Sequence, residues 1–419
     1  MKEKTFNLIE LFSGIGSQIE ALNNIGAKVN VLNTCEWNMH SIVAYSVIHD
    51  MMDGSATENL TKEELVDYLL NAGISNDGKE PVNIKGLQRL NESALNRIYG
   101  AIQSTRNLVD ISKVDGKNLA GDIDILTYSF PCQDLSNVGA FHGYKKGIDR
   151  DAQNRSGLLW EVERILLERK EADMFLPHFL LMENVPALNS QRHRKNFEEW
   201  QHQLEKLGYY NKQYVLNAKD FGLPQNRERL LMLSVLTNGD LDATNAVDEY
   251  FTNNDINPKE YLKATGKDKT KLKYFLRTNY TKKKYRIEAL ECQPNNTVSR
   301  QKIWDNNIQL TDDKGVVKDV VTSTLTTKQD RHPNSGNLRV DFENDRARFR
   351  YLTPRECFLL MGFKESDFDR LLDNNFEAIK NVNFFTRDNL IQMAGNSIAV
   401  NVLEAIFRKV VELDELLYI

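Results

Sequence analysis

Cys132 stands directly after Phe130-Pro131, at the end of the apolar run "LTYSFPCQDLS". A thiol at such a position has two readings. As a thiolate in a polar pocket it is a nucleophile; packed among apolar side chains it is a small inert core residue. A second chemical feature lies near the start, where "NLIELFS" runs into the turn Gly14-Ile15-Gly16, with Glu36-Trp37 some 20 residues further on. A glycine turn that opens a helix, followed by an acid at that distance, suits an adenosine-containing cofactor. The carboxylate accepts from both ribose hydroxyls and the indole stacks on adenine. "FSGIGS" lacks the third glycine of G-x-G-x-x-G, so the turn alone does not separate a dinucleotide from S-adenosylmethionine, or either from a purely structural turn. A third feature is Glu183, which closes the apolar run "HFLLME".

The elements needed to position these residues are legible. "NLIELFS" predicts a strand, and "QIEALNNIG" a helix whose Ile19, Leu22 and Ile25 share a face and which stops at Gly26. "KVNVLNTCEW" alternates as a second strand ending at Glu36, completing a βαβ unit. "DIDILTYS" (122–129), "HFLLME" (178–183) and "RLLMLSVL" (229–236) predict further strands, and "SGLLWEVERILLERK" (156–170) an amphipathic helix capped by Ser156. Strands alternating with helices predict an α/β fold with a mostly parallel sheet covered on both faces. Ligands of such sheets bind beyond the carboxyl ends of the strands, where the glycine turn, Glu36, Cys132 and Glu183 all fall. Residues 50–108 are polar with helical patches such as "TKEELVDYLLNAG" and read as an insertion, and "NSIAVNVLEAIFRKVVELDELL" (396–417) predicts a closing helix.

With 419 residues, the chain exceeds what one core usually supports. Composition changes after Leu236: from about 240 to 350 the segments are short, polar and basic, predicting a separate small domain. The expected division is 1–239 with 385–419, then 240–350, with 351–384 as a bridge. Net charge is −5, yet 259–302 carries 13 Lys/Arg against 4 Asp/Glu, interleaved with Tyr274, Phe275, Tyr280 and Tyr285. That local balance reads either as a solvated surface or as one that faces a polyanion. Four scattered cysteines with no C-x-x-C pair form neither a disulfide framework nor a metal site, which suits a reducing cytoplasm. Neither a leader nor an apolar run near 18 residues stands out, so no membrane association is expected.

Taken in order, Phe12-Ser-Gly14-Ile-Gly16, Glu36-Trp37, Pro131-Cys132-Gln133, Glu183-Asn184-Val185, Gln225-x-Arg227-x-Arg229 and Gly395-Asn396-Ser397 resemble the DNA (cytosine-5)-methyltransferase family. The resemblance runs from Asn7 to about Phe407, apart from the insertion and most of 240–345. It implies a Rossmann-like S-adenosylmethionine-dependent catalytic domain with a smaller target-recognition domain at 240–350. It implies Cys132 as nucleophile toward cytosine C6, Glu183 as proton donor at N3 once burial raises its pKa, and Arg229 near O2, with Arg227 bracing this group. Cofactor contacts are implied for Phe12, Gly14, Gly16, Glu36, Trp37, Asp110, Ile111, Pro131, Asn396 and Ser397, with no metal.

Cytosine C6 inside a duplex cannot meet a thiolate, so the base must be extruded. The polar loop from Asp134 to Arg155 is too long for an ordinary strand connection, and the resemblance implies that it closes over DNA. Gln133, Ser136 and Arg155 are its candidate DNA contacts. In "TSTLTTKQDRHPNSGNLR" (322–339), Thr324-Leu325 resembles the family's recognition pair, and Lys328, Gln329 and Arg331 are types that read base edges. The expected enzyme is a bacterial or phage modification methylase acting as a monomer on double-stranded DNA, with or without a cognate restriction endonuclease. A tRNA cytosine-5 methyltransferase of the same fold is the nearest rival. A nicotinamide dehydrogenase leaves the later motifs unexplained, and a non-catalytic relative would usually have lost Cys132 or Glu183.

Overall fold

The computed structural model describes residues 4–52, 60–131, 155–268 and 270–418, without the side chains of Arg155 and Ser156. These fall into two compact units. The first comprises Met1–Leu216, Glu228–Ile256 and Leu403–Ile419, and the second Asn217–Arg227 and Asn257–Val402.

In the first unit, β1 (Thr5–Leu11), β2 (Lys28–Cys35), β3 (Ile125–Tyr128), β4 (Phe179–Asn184), β5 (Tyr209–Asn217) and β6 (Glu228–Leu236) form one sheet in the order β2-β1-β3-β4-β6-β5. β1 pairs in parallel with β2 and β3, and β3 with β4; β6 runs antiparallel to β4. This is the mostly parallel sheet that the alternation of elements predicts, with the Rossmann-like character that the family resemblance implies. All four residues of β3 and the first four of β4 are buried, as strands covered on both faces must be.

Helix α1 (Ser17–Asn24) follows the glycine turn, and α2 (Met39–Ile48) is buried along its whole length. The polar insertion holds α3 (Lys62–Ala72), opened by a Thr61/Glu64 capping box, and α4 (Glu92–Ser104). Tyr68 and Tyr99 join them edge to face, with ring centroids 4.8 Å apart. On one sheet face, Leu159, Val162, Ile165 and Leu166 of α5 (Leu159–Glu171) and Phe197, Trp200 and Leu204 of α6 (Arg194–Lys206) join Leu126, Tyr128, Leu180 and Met182 in one apolar core. Each such large side chain contributes about 1.5–3 kcal/mol on burial. Trp200 Nε1 donates to the Tyr128 hydroxyl at 3.2 Å, satisfying two polar atoms that burial would otherwise strand.

Two expected helix starts shift. α5 begins at Leu159 after a 3₁₀ turn over Arg155–Leu158, so its N-cap is Leu158 rather than Ser156. The closing helix starts at Val400, because Asn396 ends the preceding helix (Arg387–Asn396) and Ser397 is extended. The stretch Arg387–Leu417 holds a window of mean hydropathy 1.4, long and apolar enough for a membrane span by composition, but 89% of it is buried.

Helix α7 (Leu241–Asn253) belongs to the first unit, where Phe251 stacks on Tyr210 of β5 and Tyr250 bonds Glu412. The change in composition near 240 therefore precedes the structural boundary near 257. The second unit is built from short helices and a two-stranded antiparallel pair, β7 (Asn337–Arg339) with β8 (Phe349–Tyr351). Its centre is a fully buried bidentate pair, Arg350 with Glu356, at 2.7 Å on both arms. Glu356 also accepts from the Arg277 and Thr353 amides, and the Tyr280 hydroxyl accepts from Arg350. Burial works against the Glu356 carboxylate, but the Arg350 charge and these donors bring its pKa below the ordinary value. Segment 351–384 carries the helices Pro354–Leu360 and Glu365–Asp373 within this unit, and 385–402 belongs to it as well.

Candidate active site

At the carboxyl end of β1 the chain turns sharply. Phe12, Gly14 and Gly16 all adopt positive φ (58°, 56° and 79°), and the Gly16 amide donates to Ser13 O at 3.0 Å. Gly16 is fixed by more than conformation, since a Cβ there would lie 2.2 Å from His49 Nε2 and 2.8 Å from Tyr45. Around Gly14 the space is open, with nothing within 4 Å of where its Cβ would stand. The parallel partner β2 ends at Cys35, which puts Glu36 beside this turn. One carboxylate oxygen accepts from the Gly14 amide at 3.1 Å and the other from the Asn38 amide at 2.8 Å. Burial pushes the Glu36 carboxyl above its ordinary range, against the backbone amides of Asn38, Gly14 and Trp37 that favour the charge. Half-buried Trp37 follows directly.

A third strand of chain completes this end of the sheet. Leu108 N donates to Thr34 O at 2.9 Å, and the side-chain Oδ1 of Asn107 accepts from both the Glu36 amide (3.2 Å) and the Val109 amide (2.7 Å). Asp110 and Ile111 are thereby carried to the end of β2. Asp110 caps its own turn by accepting from Ser112 at 3.0 Å, while Ile111 packs into the core. Motif reading missed the part Asn107 plays in holding this end of the sheet, for a lone Asn at the end of an insertion carries no local signal.

Pro131 is half-buried and is the last residue described before Cys132. Cys132, Gln133 and Ser136 lie outside the described residues, and so does the side chain of Arg155. The strand leading to them is pinned from its neighbour: Asn184 Nδ2, buried, donates to Phe130 O at 3.0 Å while its Oδ1 accepts from Val185 N at 2.8 Å. Glu183 is the adjacent residue. Because β6 runs antiparallel to β4, with Glu183 opposite Leu231, the start of β6 meets the end of β4. Arg229 Nε thus stands 3.0 Å from Glu183 Oε1, and both side chains are largely shielded. Burial keeps the other three cysteines, Cys35, Cys292 and Cys357, as thiols, with Cys292 pushed up to about 12.

The second unit holds the remaining candidates. Arg227 is buried and spends its guanidinium on three carbonyls, those of Leu325 (3.0 Å), Gly395 (3.0 Å) and Ser397 (2.7 Å). That geometry braces a loop and a turn rather than presenting a charge to a reacting base. Asn396 is exposed, whereas Ser397 is buried. In the 324–331 loop, Lys328 and Arg331 are exposed and Thr324 is half-buried. Leu325 and Gln329 differ from the expectation of base contact, since both are buried. Gln329 closes the loop from within, donating to Ser335 Oγ at 3.1 Å and accepting from Ser335 N at 3.2 Å. The aromatic residues of the basic stretch also divide: Tyr274 is exposed, while Tyr285 is covered by Arg277 and Arg355 and bonds Glu365.

The first unit fits an adenosine-bearing cofactor by the open space at Gly14 and by the acceptor oxygens of Glu36. A carboxylate has about four lone-pair sites, and the hydrogen bonds from the Gly14 and Asn38 amides occupy one on each oxygen, leaving acceptor capacity for a ribose hydroxyl. Among the described residues the one metal-ligating cluster is Asp124, His178 and Asp414. Lys4 already sits there, 2.9 Å from Asp124 and 2.5 Å from Asp414, and serves as its cation.

A family model described as C-5 cytosine-specific DNA methylase matches residues 71–412. The orphan methyltransferase M.SssI of Spiroplasma monobiae is 33% identical over 98% of this chain and 98% of its own length. The type II methyltransferase M2.ScrFI of Lactococcus lactis subsp. cremoris is 33% identical over 96% and 98%. Among solved structures, the S. pombe Dnmt2 methyltransferase shares the fold at a TM-score of 0.58 and 19% identity, covering 99% of this chain and all of that one. The Entamoeba histolytica methyltransferase EhMeth does so at 0.54 and 17%, with 98% of each chain covered.

Proposed function

The chain belongs to the C-5 cytosine-specific DNA methylase family and is a DNA cytosine-5-methyltransferase, and from that premise we propose how its own residues perform the reaction. It methylates cytosine C5 within a specific sequence of double-stranded DNA, on a base swung out of the helix, through a covalent bond between Cys132 and C6. The observation that carries this is the Glu183–Arg229 pair at 3.0 Å, at the end of a strand whose next residue, Asn184, anchors the chain two residues before Cys132.

Cytosine C5 is a poor nucleophile. Addition of the Cys132 thiolate to C6, with a proton delivered to N3 through Glu183, turns the ring into an enamine whose electron pair rests on C5. Arg229 holds the Glu183 carboxyl and stands ready to donate to O2 of the same base. Bound S-adenosylmethionine supplies an electrophilic methyl on a sulfonium centre for that carbon. Loss of the C5 proton to solvent, with the N3 proton returning to Glu183, then expels the thiolate, restoring aromaticity and freeing Cys132. On the protein side, Glu36 would hold the cofactor ribose and Trp37 and Asp110 its adenine, with Phe12, Gly14, Gly16, Ile111 and Pro131 beside them, and the family likeness assigns cofactor contact to Asn396 and Ser397 as well. Arg227 is a positioning residue. Gln133, Ser136 and Arg155 hold the extruded base's strand, and Thr324, Lys328 and Arg331 face the duplex, on a loop whose interior is formed by Leu325 and Gln329. The enzyme works as a monomer in the cytoplasm, as an orphan or beside a cognate endonuclease.

The test offers duplex DNA and tRNA transcripts with methyl-labelled cofactor, then maps modified positions by bisulfite sequencing. Label enters DNA at C5 of one cytosine in a fixed sequence, and Cys132→Ala loses this activity while still binding duplex and cofactor. Label entering tRNA alone, or wild-type turnover by Cys132→Ala, overturns the proposal.

A further inference from the structure

Segment 217–227 lies in sequence between β5 and β6, yet it is part of the second unit. Its bridge partner there is Thr322: Gln225 pairs with it in parallel, Asn226 N donates to Thr322 O at 2.9 Å, and Thr322 N donates to Pro224 O at 2.8 Å. The side chains of Gln225 and Arg227 both reach the backbone of Leu325. Leu325 N donates to Gln225 Oε1 at 2.9 Å, and Leu325 O accepts from Arg227 Nη1 at 3.0 Å. Both clamping side chains are buried, at 0% and 3% exposure, so these bonds do not compete with water.

The two clamps differ in where else they reach. Gln225 Nε2 donates to Leu360 O at 2.9 Å and to Met361 Sδ at 3.4 Å, neither of them a residue of the 395–397 turn. Arg227 Nη2 donates to Gly395 O and Ser397 O, the ends of that turn. Loop and turn also touch directly, for a Cβ on Gly395 would lie 2.6 Å from the carbonyl carbon and oxygen of Thr326 and 2.7 Å from Thr327 N. Only a residue without a side chain admits that approach.

We infer that Gln225 and Arg227 are positioning residues which make sequence readout and cofactor binding interdependent: Arg227 fixes the 324–327 loop to the 395–397 turn, whereas Gln225 fixes the loop alone. The inference rests on the proposed reading that the loop faces the duplex and the turn faces the cofactor. Two residues past Arg227, Arg229 holds Glu183, so the chain that sets the loop continues directly into the catalytic pair.

The experiment measures, for each full-length variant, the cofactor KM and the methylated motifs from a randomised duplex library. Arg227→Lys keeps the charge but loses the fork, and should raise the cofactor KM about tenfold and the methylation of one-mismatch sites about tenfold, as expected for lost charge-assisted bonds. Gln225→Ala should relax the motif similarly while leaving the cofactor KM within about twofold. Should Arg227→Lys fail to fold, Gly395→Ala, which pushes loop and turn apart, must show the same double effect. A general loss of structure would lower kcat without this split. The inference is overturned if Arg227→Lys (or Gly395→Ala) moves one readout only, or if Gln225→Ala raises the cofactor KM as much. Asn396→Ala and Lys328→Ala serve as controls for the reading beneath. If the first leaves cofactor KM unchanged, or the second leaves both motif and duplex affinity unchanged, that reading fails and takes the inference with it. If both controls respond and the Arg227 and Gly395 variants do not, the inference alone fails.

Discussion

Glu36 shows how much one side chain can be asked to do. Its two oxygens take the Gly14 and Asn38 amides, so the carboxylate shapes the glycine turn and the start of α2 before any ligand arrives. We expect Glu36→Ala to weaken S-adenosylmethionine binding about 10- to 100-fold, since hydrogen bonds to a charged group are worth roughly 1.5–3 kcal/mol. Calorimetry on the protein alone checks this, and unchanged affinity would remove Glu36 from the cofactor site. The same variant should also melt earlier, because two amides lose their acceptor. The positions of Glu36, Glu183 and Arg229 were legible because each stands at the end or the start of a strand whose pattern is plain. Gln329 was not, because its type fits base readout and only the fold shows it buried against Ser335.

Between elements, the packing of β1, α1 and α2 beneath the glycine turn hides a titratable group. Glu10 faces Thr34 and Thr127 across the sheet and is fully buried, with the Tyr45 hydroxyl and the Ile19 amide against its carboxyl. Burial raises its pKa to about 7, only partly offset by those donors. A carboxyl raised in the folded state is bound to its proton more tightly there than in the unfolded chain. Its contribution to stability is therefore full below about pH 4.5 and is lost as pH rises through about 7. Buried His40, lowered to about 4, works in the opposite sense across part of that window, so the comparison must be made against a variant. Glu10→Gln should gain stability relative to the parent as pH rises from 4.5 to 8, by about 3 kcal/mol at most. Parallel denaturant curves with a pH-independent difference would contradict this. Other elements explain what the sequence withheld. β5 is an edge strand with mixed burial, so "YYNKQYVLN" shows no apolar run, and α2 is buried all round, so it shows no amphipathic stripe. By contrast β1, β3, β4 and β6 were readable, since strands buried on both faces leave near-continuous apolar runs, and edge strand β2 was readable by its alternation.

Across the molecule, the chain falls into two compact units, and segment 217–227 belongs to one while it lies in sequence between two strands of the other. Composition revealed that a second unit exists but not where it begins, because polar α7 packs by only two deeply buried residues, Val247 and Phe251, into the first. Family membership fixes the class of reaction; the covalent route through Cys132 is the central claim and can be met directly. Duplex DNA carrying 5-fluorocytosine at the methylated position is incubated with enzyme and S-adenosylmethionine, then denatured and resolved by mass. Fluorine cannot leave as the C5 proton does, so elimination stops with the thiolate attached. The account predicts a denaturation-stable protein–DNA adduct with wild-type enzyme, mapped to Cys132 by peptide sequencing and absent from Cys132→Ala. An active enzyme that forms no adduct at its own site, or one joined to the DNA through another residue, would contradict it.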